Sequence, residues 1–202
     1  MNEKMPMIPK WFIPRDAVEF DDETYFERGT WGENGLGTEV VVKCLVADND
    51  KAQEEFRRES TVWYGLDHPN VVKMYGACHE GMPIFFVCEY VKERQDSSLE
   101  IILLSCPWAP ILARQNIVHG DLKCNNILVE PTKDGKKAKI CDFGFSYVRD
   151  RSQMSAKAKT QTIRWQAPEV LMPFDQEEHD HEYNPRFASD VYSFGMCISR
   201  RS

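Results

Sequence analysis

Two polar loops carry the residues best suited to chemistry. His119-Gly120-Asp121-Leu122-Lys123-Cys124-Asn125-Asn126 lies between the short apolar runs Asn116-Ile117-Val118 and Ile127-Leu128-Val129. A second polar loop opens at Asp142-Phe143-Gly144, behind Ala138-Lys139-Ile140 and 16 residues after Asn126. Asn126 and Asp142 are hard oxygen donors of the kind Mg²⁺ takes beside phosphates. A carboxylate such as Asp121 can accept a proton, and Lys123, two residues on, can meet an anion. Buried-strand patterns that twice end in acidic loop residues suggest a site on a rigid scaffold. The plainer alternative, a loop carboxylate capping a turn, explains either loop alone but not the two together.

The elements that must position these loops are legible in outline. Glu39-Val40-Val41-Val42-Lys43-Cys44-Leu45 is a β-branched run and predicts a strand. Asp50 with Gln53 resembles a capping box, and Ala52, Phe56, Trp63 and Leu66 recur at helical spacing until Pro69. Val71–Tyr75 and Ile84–Glu89 predict two more strands, with Glu80-Gly81 as the turn between them. The prolines between Pro6 and Pro14 predict an extended lead-in. A turn is expected at Asp134-Gly135, and Val191, Phe194 and Ile198 predict a helix over 190–198.

Composition narrows the classes. With 202 residues the chain makes one domain or two small lobes, and an apolar fraction of 42% excludes a disordered polymer. The net charge of −7 argues against a nucleic-acid partner, which needs clustered Lys and Arg. Apolar stretches such as Phe85–Cys88 and Ile101–Leu104 are far shorter than the ~20 residues of a membrane-spanning helix. The first residues lack the apolar core of a signal peptide. Seven cysteines with no Cys-x-x-Cys pair then fit reduced thiols inside the cell, in the cytoplasm or the nucleus. His179 and His181 are too few for a zinc site.

The motifs in order resemble a eukaryotic protein kinase. His119–Asn126 is similar to the catalytic loop H-R-D-L-x-x-x-N, Asp142-Phe143-Gly144 follows it, and Ala167-Pro168-Glu169 begins 25 residues after Asp142. Val41-Val42-Lys43 resembles the V-A-I-K strand, with Glu59 on the next helix and His68-Pro69-Asn70 beyond. Trp11-Phe12-Ile13-Pro14, Ile163–Glu169 and Ser189–Gly195 resemble more closely the tyrosine-kinase-like group of serine/threonine kinases. The resemblance runs from about Trp11 to Ile198.

It implies an α+β, two-lobed protein-kinase-like fold with a β-rich N-lobe and an incomplete, mainly helical C-lobe. The lead-in would be 1–15, the N-lobe with its hinge 16–91, and the truncated C-lobe 92–202. The implied activity transfers the ATP γ-phosphate to serine or threonine hydroxyls of protein substrates in signalling. ATP and Mg²⁺ are the implied cofactors, and the oligomeric state is left open. Asp121, Lys123 and Thr162 would be catalytic, with Thr162 bonding the other two. Asn126 and Asp142 would hold metal. Lys43 would hold the α- and β-phosphates with Glu59 fixing its ammonium, Glu89 and Val91 would offer hinge backbone to adenine, and Gly29 and Gly32 would cover the phosphates. Lys123, in place of an Ala-Ala-Arg pattern, resembles serine/threonine specificity. Cys88 would be the gatekeeper and, like Cys141, is expected to be a small buried hydrophobe. Ser152, Ser155 and Thr160 are candidate phosphorylation sites.

Four departures qualify the resemblance. Gly120 replaces the motif arginine, which implies less dependence on activation-loop phosphorylation. Glu27–Gly32 can be laid on G-x-G-x-x-G with Glu27 for the first glycine; alternatively Arg28–Trp31 is a strand and Asp21–Thr24 stands where glycines belong. Between Leu99 and His119 too little length is left for a long helix, and Pro107 and Pro110 are expected to break any helix. The helix carrying Asp190, the residue expected to brace the catalytic loop, stops at Ser199–Ser202, leaving Glu169 without its usual arginine and apolar faces uncovered. The second reading is therefore a catalytically impaired pseudokinase or scaffold.

Overall fold

Alternation along Thr38–Leu45 (β3) sends Val40, Val42 and Cys44 into a core with Ile13, Val18, Cys78, Phe85 and Val87. Around β3 stands a five-stranded antiparallel sheet in the order β1-β2-β3-β5-β4. Its other strands are β1 (Val18–Glu19), β2 (Phe26–Trp31), β4 (Met74–Cys78) and β5 (Ile84–Glu89). This computed structural model describes residues 8–20, 26–32, 37–46, 49–92, 108–144, 147–148, 163–171 and 187–199. The chain divides into two units, 1–66 with 73–90 and 67–72 with 91–202. Thr162, Ser152, Ser155, Thr160, Asp21–Thr24, Leu99–Pro107, His179 and His181 lie outside the described residues.

In the first unit, β5 is buried on both faces, which is why Ile84–Cys88 is apolar without alternation. Phe86 packs against Phe56 and Trp63 of α1 (Asp50–Tyr64), with ring centroids 4.4 Å and 5.8 Å away. The cap of α1 is Asn49, not Asp50: the Asn49 side chain accepts the Ala52 N–H at 2.9 Å. The helix also ends earlier than expected, at Gly65 and before Pro69. The lead-in is extended and bonded to the edge of β4, through Ile13 N to Ala77 O at 2.9 Å and Ala77 N to Trp11 O at 2.8 Å. Trp11 also donates from Nε1 to Thr61 on α1 at 3.1 Å.

The second unit pairs β6 (Ile117–Val118) with β9 (Tyr147–Val148), and β7 (Ile127–Thr132) with β8 (Gly135–Ile140). Its helices are α2 (Trp108–Arg114), α3 (Pro168–Leu171) and α4 (Phe187–Ser199). Val71 and Val72, expected in the strand before β5, are bonded elsewhere. Val72 N–H reaches Ile140 O at 2.8 Å, and Ile140 N–H reaches Asn70 O at 2.9 Å. Pro110 does not exclude a helix, because it sits in the first turn of α2, where a backbone N–H has no helical partner. On α4 the buried residues are Ser189, Asp190 and Ser193, whereas Val191 and Ile198 are exposed. Hydrogen bonds to backbone explain the inversion: Ser193 donates to Trp165 O at 2.7 Å, and Asp190 accepts two N–H groups of the loop after β6. Glu169 has a partner in Ser189, whose hydroxyl donates to it at 3.2 Å.

Candidate active site

The loop between β6 and β7 is held from inside the protein. His119, fully buried, is aligned by its backbone N–H on Asp190 Oδ2 at 2.8 Å, and Gly120 N–H meets Asp190 Oδ1 at 2.9 Å. Burial pushes the Asp190 carboxyl up from its usual range, while the two N–H bonds from His119 and Gly120 oppose that shift. Gly120 adopts φ +79°, a left-handed conformation that costs a residue with a side chain about 1 kcal/mol. Glycine at this motif position therefore relaxes the backbone where it removes the arginine.

The His119 ring ties the two polar loops together. Its Nε2 lies 3.1 Å from Cys141 O, and the Asp121 N–H points to its Nδ1 at 3.3 Å. Since Cys141 O can only accept and the Asp121 N–H can only donate, the ring carries its proton on Nε2. Asn126 completes the link, because Cys141 N–H donates to Asn126 O at 3.0 Å. Asp142 follows at once, in the left-handed region with φ 65°. The Asn70 amide donates to Ala138 O at 2.8 Å and steadies β8, the strand that delivers Asp142. Neither the His119 bridge nor the Asn70 clamp was anticipated; the only signal was the histidine and asparagine of the two motifs.

Within the first loop Asp121, Lys123 and Asn126 come together. Lys123 Nζ meets Asp121 Oδ2 at 2.7 Å, a charge-assisted contact on a carboxylate that is almost fully buried. The Asn126 amide nitrogen donates to Asp121 O at 2.9 Å and approaches Asp121 Oδ2 at 3.5 Å. With its nitrogen committed there, Asn126 has its oxygen left to offer a cation. An amide oxygen and the Asp142 carboxylate are hard donors, and too few for a protein-only cage. That suits Mg²⁺, which keeps waters and substrate phosphates in its shell. Among the described residues no cluster of three His, Cys, Asp or Glu side chains stands ready for a metal.

In the first unit, Lys43 and Glu59 are brought together as a long ion pair, Nζ to Oε1 at 4.0 Å, both side chains largely buried. Lys43 Nζ also lies 5.8 Å from the Phe86 ring centroid. Glu89 ends β5, its N–H bonded to Lys73 O at 2.8 Å, and Cys88 is buried beside it. Val91, buried, begins the following segment of the second unit. Cys141 is half-buried rather than buried.

Of the two readings of the glycine region, the strand is observed. Gly29 pairs with Val40 in the middle of β2, and a Cβ there would come within 2.8 Å of Glu19 O. It serves close strand packing, which removes it from the expected phosphate-covering pair. Gly32 follows the end of β2, exposed, with φ 137°. An unanticipated neighbour is Arg28, whose guanidinium lies 4.1 Å from the Tyr90 ring centroid and 2.8 Å from Glu39.

The first unit thus holds a five-stranded antiparallel sheet with a Lys–Glu pair, and the second presents Asp, Lys and Asn on one loop and Asp on the next. The chain belongs to the protein tyrosine and serine/threonine kinase family, which it matches over residues 24–199. It is 28% identical to the cytoplasmic tyrosine-protein kinase BMX of Mus musculus, over 93% of this chain and 30% of that protein. It is 29% identical to the tyrosine-protein kinase TXK of Mus musculus, over 94% of this chain and 37% of that protein. It is 28% identical to the serine/threonine-protein kinase STY46 of Arabidopsis thaliana, over 84% of this chain and 31% of that protein. The chain thus spans about a third of the length of these relatives. No described helix is long and apolar enough to cross a membrane.

Proposed function

We propose that this chain is a kinase domain that phosphorylates serine and threonine hydroxyls of protein substrates, with Asp121 as the proton acceptor. The observation that carries the reading is the 2.7 Å contact of Lys123 with Asp121. A lysine two residues after the acceptor carboxylate sits where it can meet a transferring phosphate. Bound ATP with Mg²⁺ supplies the phosphoryl group and neutralises its charge. Asn126 and Asp142 are the residues that would hold the cation. Lys43, steadied by Glu59, would bind the α- and β-phosphates, and backbone groups of Glu89 and Val91 would take adenine. Asp121 orients the acceptor hydroxyl and takes its proton late, as phosphoryl transfer needs little general-base assistance early. Thr162 is proposed to support Asp121 and Lys123 from the activation segment. The cytoplasm is the proposed location, in keeping with the reduced thiols Cys44, Cys78 and Cys88 and with the name of the BMX relative.

A pseudokinase reading draws on one observation, the placement of Gly29 inside β2 rather than in a phosphate-binding turn. Transfer from Mg-ATP to a mixture of serine, threonine and tyrosine peptides, followed by identification of the phosphorylated amino acid, separates the readings. Phosphoserine or phosphothreonine supports the proposal. Phosphotyrosine alone reverses the specificity, and no phosphate in any peptide favours the scaffold.

A further inference from the structure

Alternation sorts the residues of β3 onto two faces. Val40, Val42 and Cys44 enter the core, so Glu39, Val41 and Lys43 share the opposite face. Register carries that face onto the neighbouring strands, because residues directly opposite each other in a sheet point the same way. On β5 it continues with Phe86, opposite Lys43, and Cys88, opposite Val41. On β2 it continues with Arg28, opposite Val41, and Thr30, opposite Glu39. An arginine therefore stands on the sheet face that carries Lys43, beside a valine and a thiol.

The partners of Arg28 show where its side chain runs. Its guanidinium lies 2.8 Å from Glu39, a diagonal neighbour on the same face, and 4.1 Å from the Tyr90 ring centroid. Tyr90 directly follows Glu89, the last residue of β5. In the sheet β3 lies between β2 and β5, so a contact from β2 to the residue after β5 spans two strand spacings, about 10 Å. The Glu39 bond fixes the face on which it does so. Arg28 and Tyr90 thus form a bar over β3 at the level of Glu39 and Val41. These two stand four and two residues before Lys43, about 13 Å and 7 Å along the strand. Arg28, Glu39, Lys43 and Tyr90 all belong to the first unit.

We propose that this bar is an autoinhibitory contact, with Arg28 holding down nucleotide affinity until it leaves Tyr90. The inference rests on the reading in which Lys43 takes the phosphates and the Glu89 backbone takes adenine. A nucleotide joining those two points lies along β3 against Val41, where the bar crosses. The entering base displaces the guanidinium from both partners, or else covers a cation and strips its water. An exposed cation–π contact and a surface ion pair together are equivalent to about three- to thirtyfold in a binding constant. The bar therefore weakens binding rather than closing the site. With its side chain 60% exposed, Arg28 can swing into solvent without disturbing the core.

The test is calorimetric titration of the whole chain with adenosine and with Mg-ATP, for wild type, Arg28→Ala and Arg28→Lys. Adenosine has no phosphate, so it reports the bar without the attraction between the Arg28 charge and a triphosphate. Arg28→Ala, which adds no apolar surface of its own, is expected to bind adenosine about three- to thirtyfold tighter than wild type. Arg28→Lys keeps the charge for Glu39 but loses the planar face that lies on Tyr90, so it should fall between the two. It also keeps the test open should Arg28→Ala not fold. Mg-ATP should tighten less than adenosine, because the cation is lost together with the bar. Adenosine affinity that is unchanged or weaker in both variants overturns the proposal. Phosphate transfer to serine, threonine and tyrosine peptides, run in parallel, decides the kinase reading by itself. Tighter binding without transfer counts against that reading and upholds the bar; transfer with unchanged affinity does the reverse. Failure of every variant to take either ligand overturns the bar together with the nucleotide site at Lys43.

Discussion

Asp190→Ala is expected to release the loop between β6 and β7 from α4. The carboxylate accepts N–H groups of His119 and Gly120 at 2.8 Å and 2.9 Å, and His119 is fully buried. The buried His119 donor left without an acceptor costs about 1–3 kcal/mol and the half-buried Gly120 donor less, so the substitution should cost about 1–4 kcal/mol. A domain of this size has only about 5–15 kcal/mol in total. Asp190→Asn keeps one acceptor oxygen but turns an amide N–H₂ toward the second backbone N–H, so it should lose about half as much. The assay is urea unfolding of wild type and both variants, with amide exchange read at residues 119 and 120. Faster exchange at those two amides, graded from Asn to Ala, is the expected pattern. An Ala variant within about 0.5 kcal/mol of wild type, with both amides still protected, refutes the anchoring role of Asp190.

The Lys43–Glu59 pair should act as a unit. Lys43→Met and Glu59→Ala are each expected to weaken ATP binding or slow transfer, with a coupling above about 0.5 kcal/mol in a double-mutant cycle; full additivity would mean that the 4.0 Å pair is not used. Asp142→Ala should abolish the Mg²⁺ dependence of nucleotide binding, and unchanged Mg-ATP affinity by calorimetry would sink its ligand role. His79 gives the pH prediction. Burial, then the nearby Arg57, lower its pKa below 6.5, so the unfolded chain takes up the proton first and stability is lost as pH falls through 6.5. Its ring lies 5.4 Å from Trp11 and 5.2 Å from Phe12, and His79→Phe should flatten the decline in melting temperature from about pH 8 to about pH 5; an equally steep decline in the variant would contradict the assignment.

The elements legible in the sequence are those whose reasons are local. Ile84–Glu89 reads as a strand because Ile84–Cys88 is an unbroken apolar run, and β3 because β-branched residues fill it. The two chemical loops were legible from residue types and order. What was not legible depends on partners distant in the chain. Asn49 and Asp50 are both good caps, and only the backbone turn selects Asn49. Val71 and Val72 are ordinary strand residues, and nothing nearby indicates that their partner is Ile140. The burial of α4 runs against its apolar periodicity because Ser189, Asp190 and Ser193 bond to Glu169, Trp165 O and the loop at 119–120. Gly29 fits a turn by composition and a close-packed strand by geometry.

The role of Asp121 is tested most directly by Asp121→Asn. The change keeps the shape of the side chain and most of its hydrogen bonding, including an oxygen for Lys123 Nζ, now 2.7 Å away. It removes the charge and the basicity. The measurement is phosphate transfer to a serine- or threonine-containing protein, with nucleotide affinity followed in parallel. Transfer should fall by about 10²–10⁴-fold, the usual contribution of a positioned general base, while nucleotide affinity changes little. Wild-type transfer in the variant would contradict the assignment of Asp121 as proton acceptor.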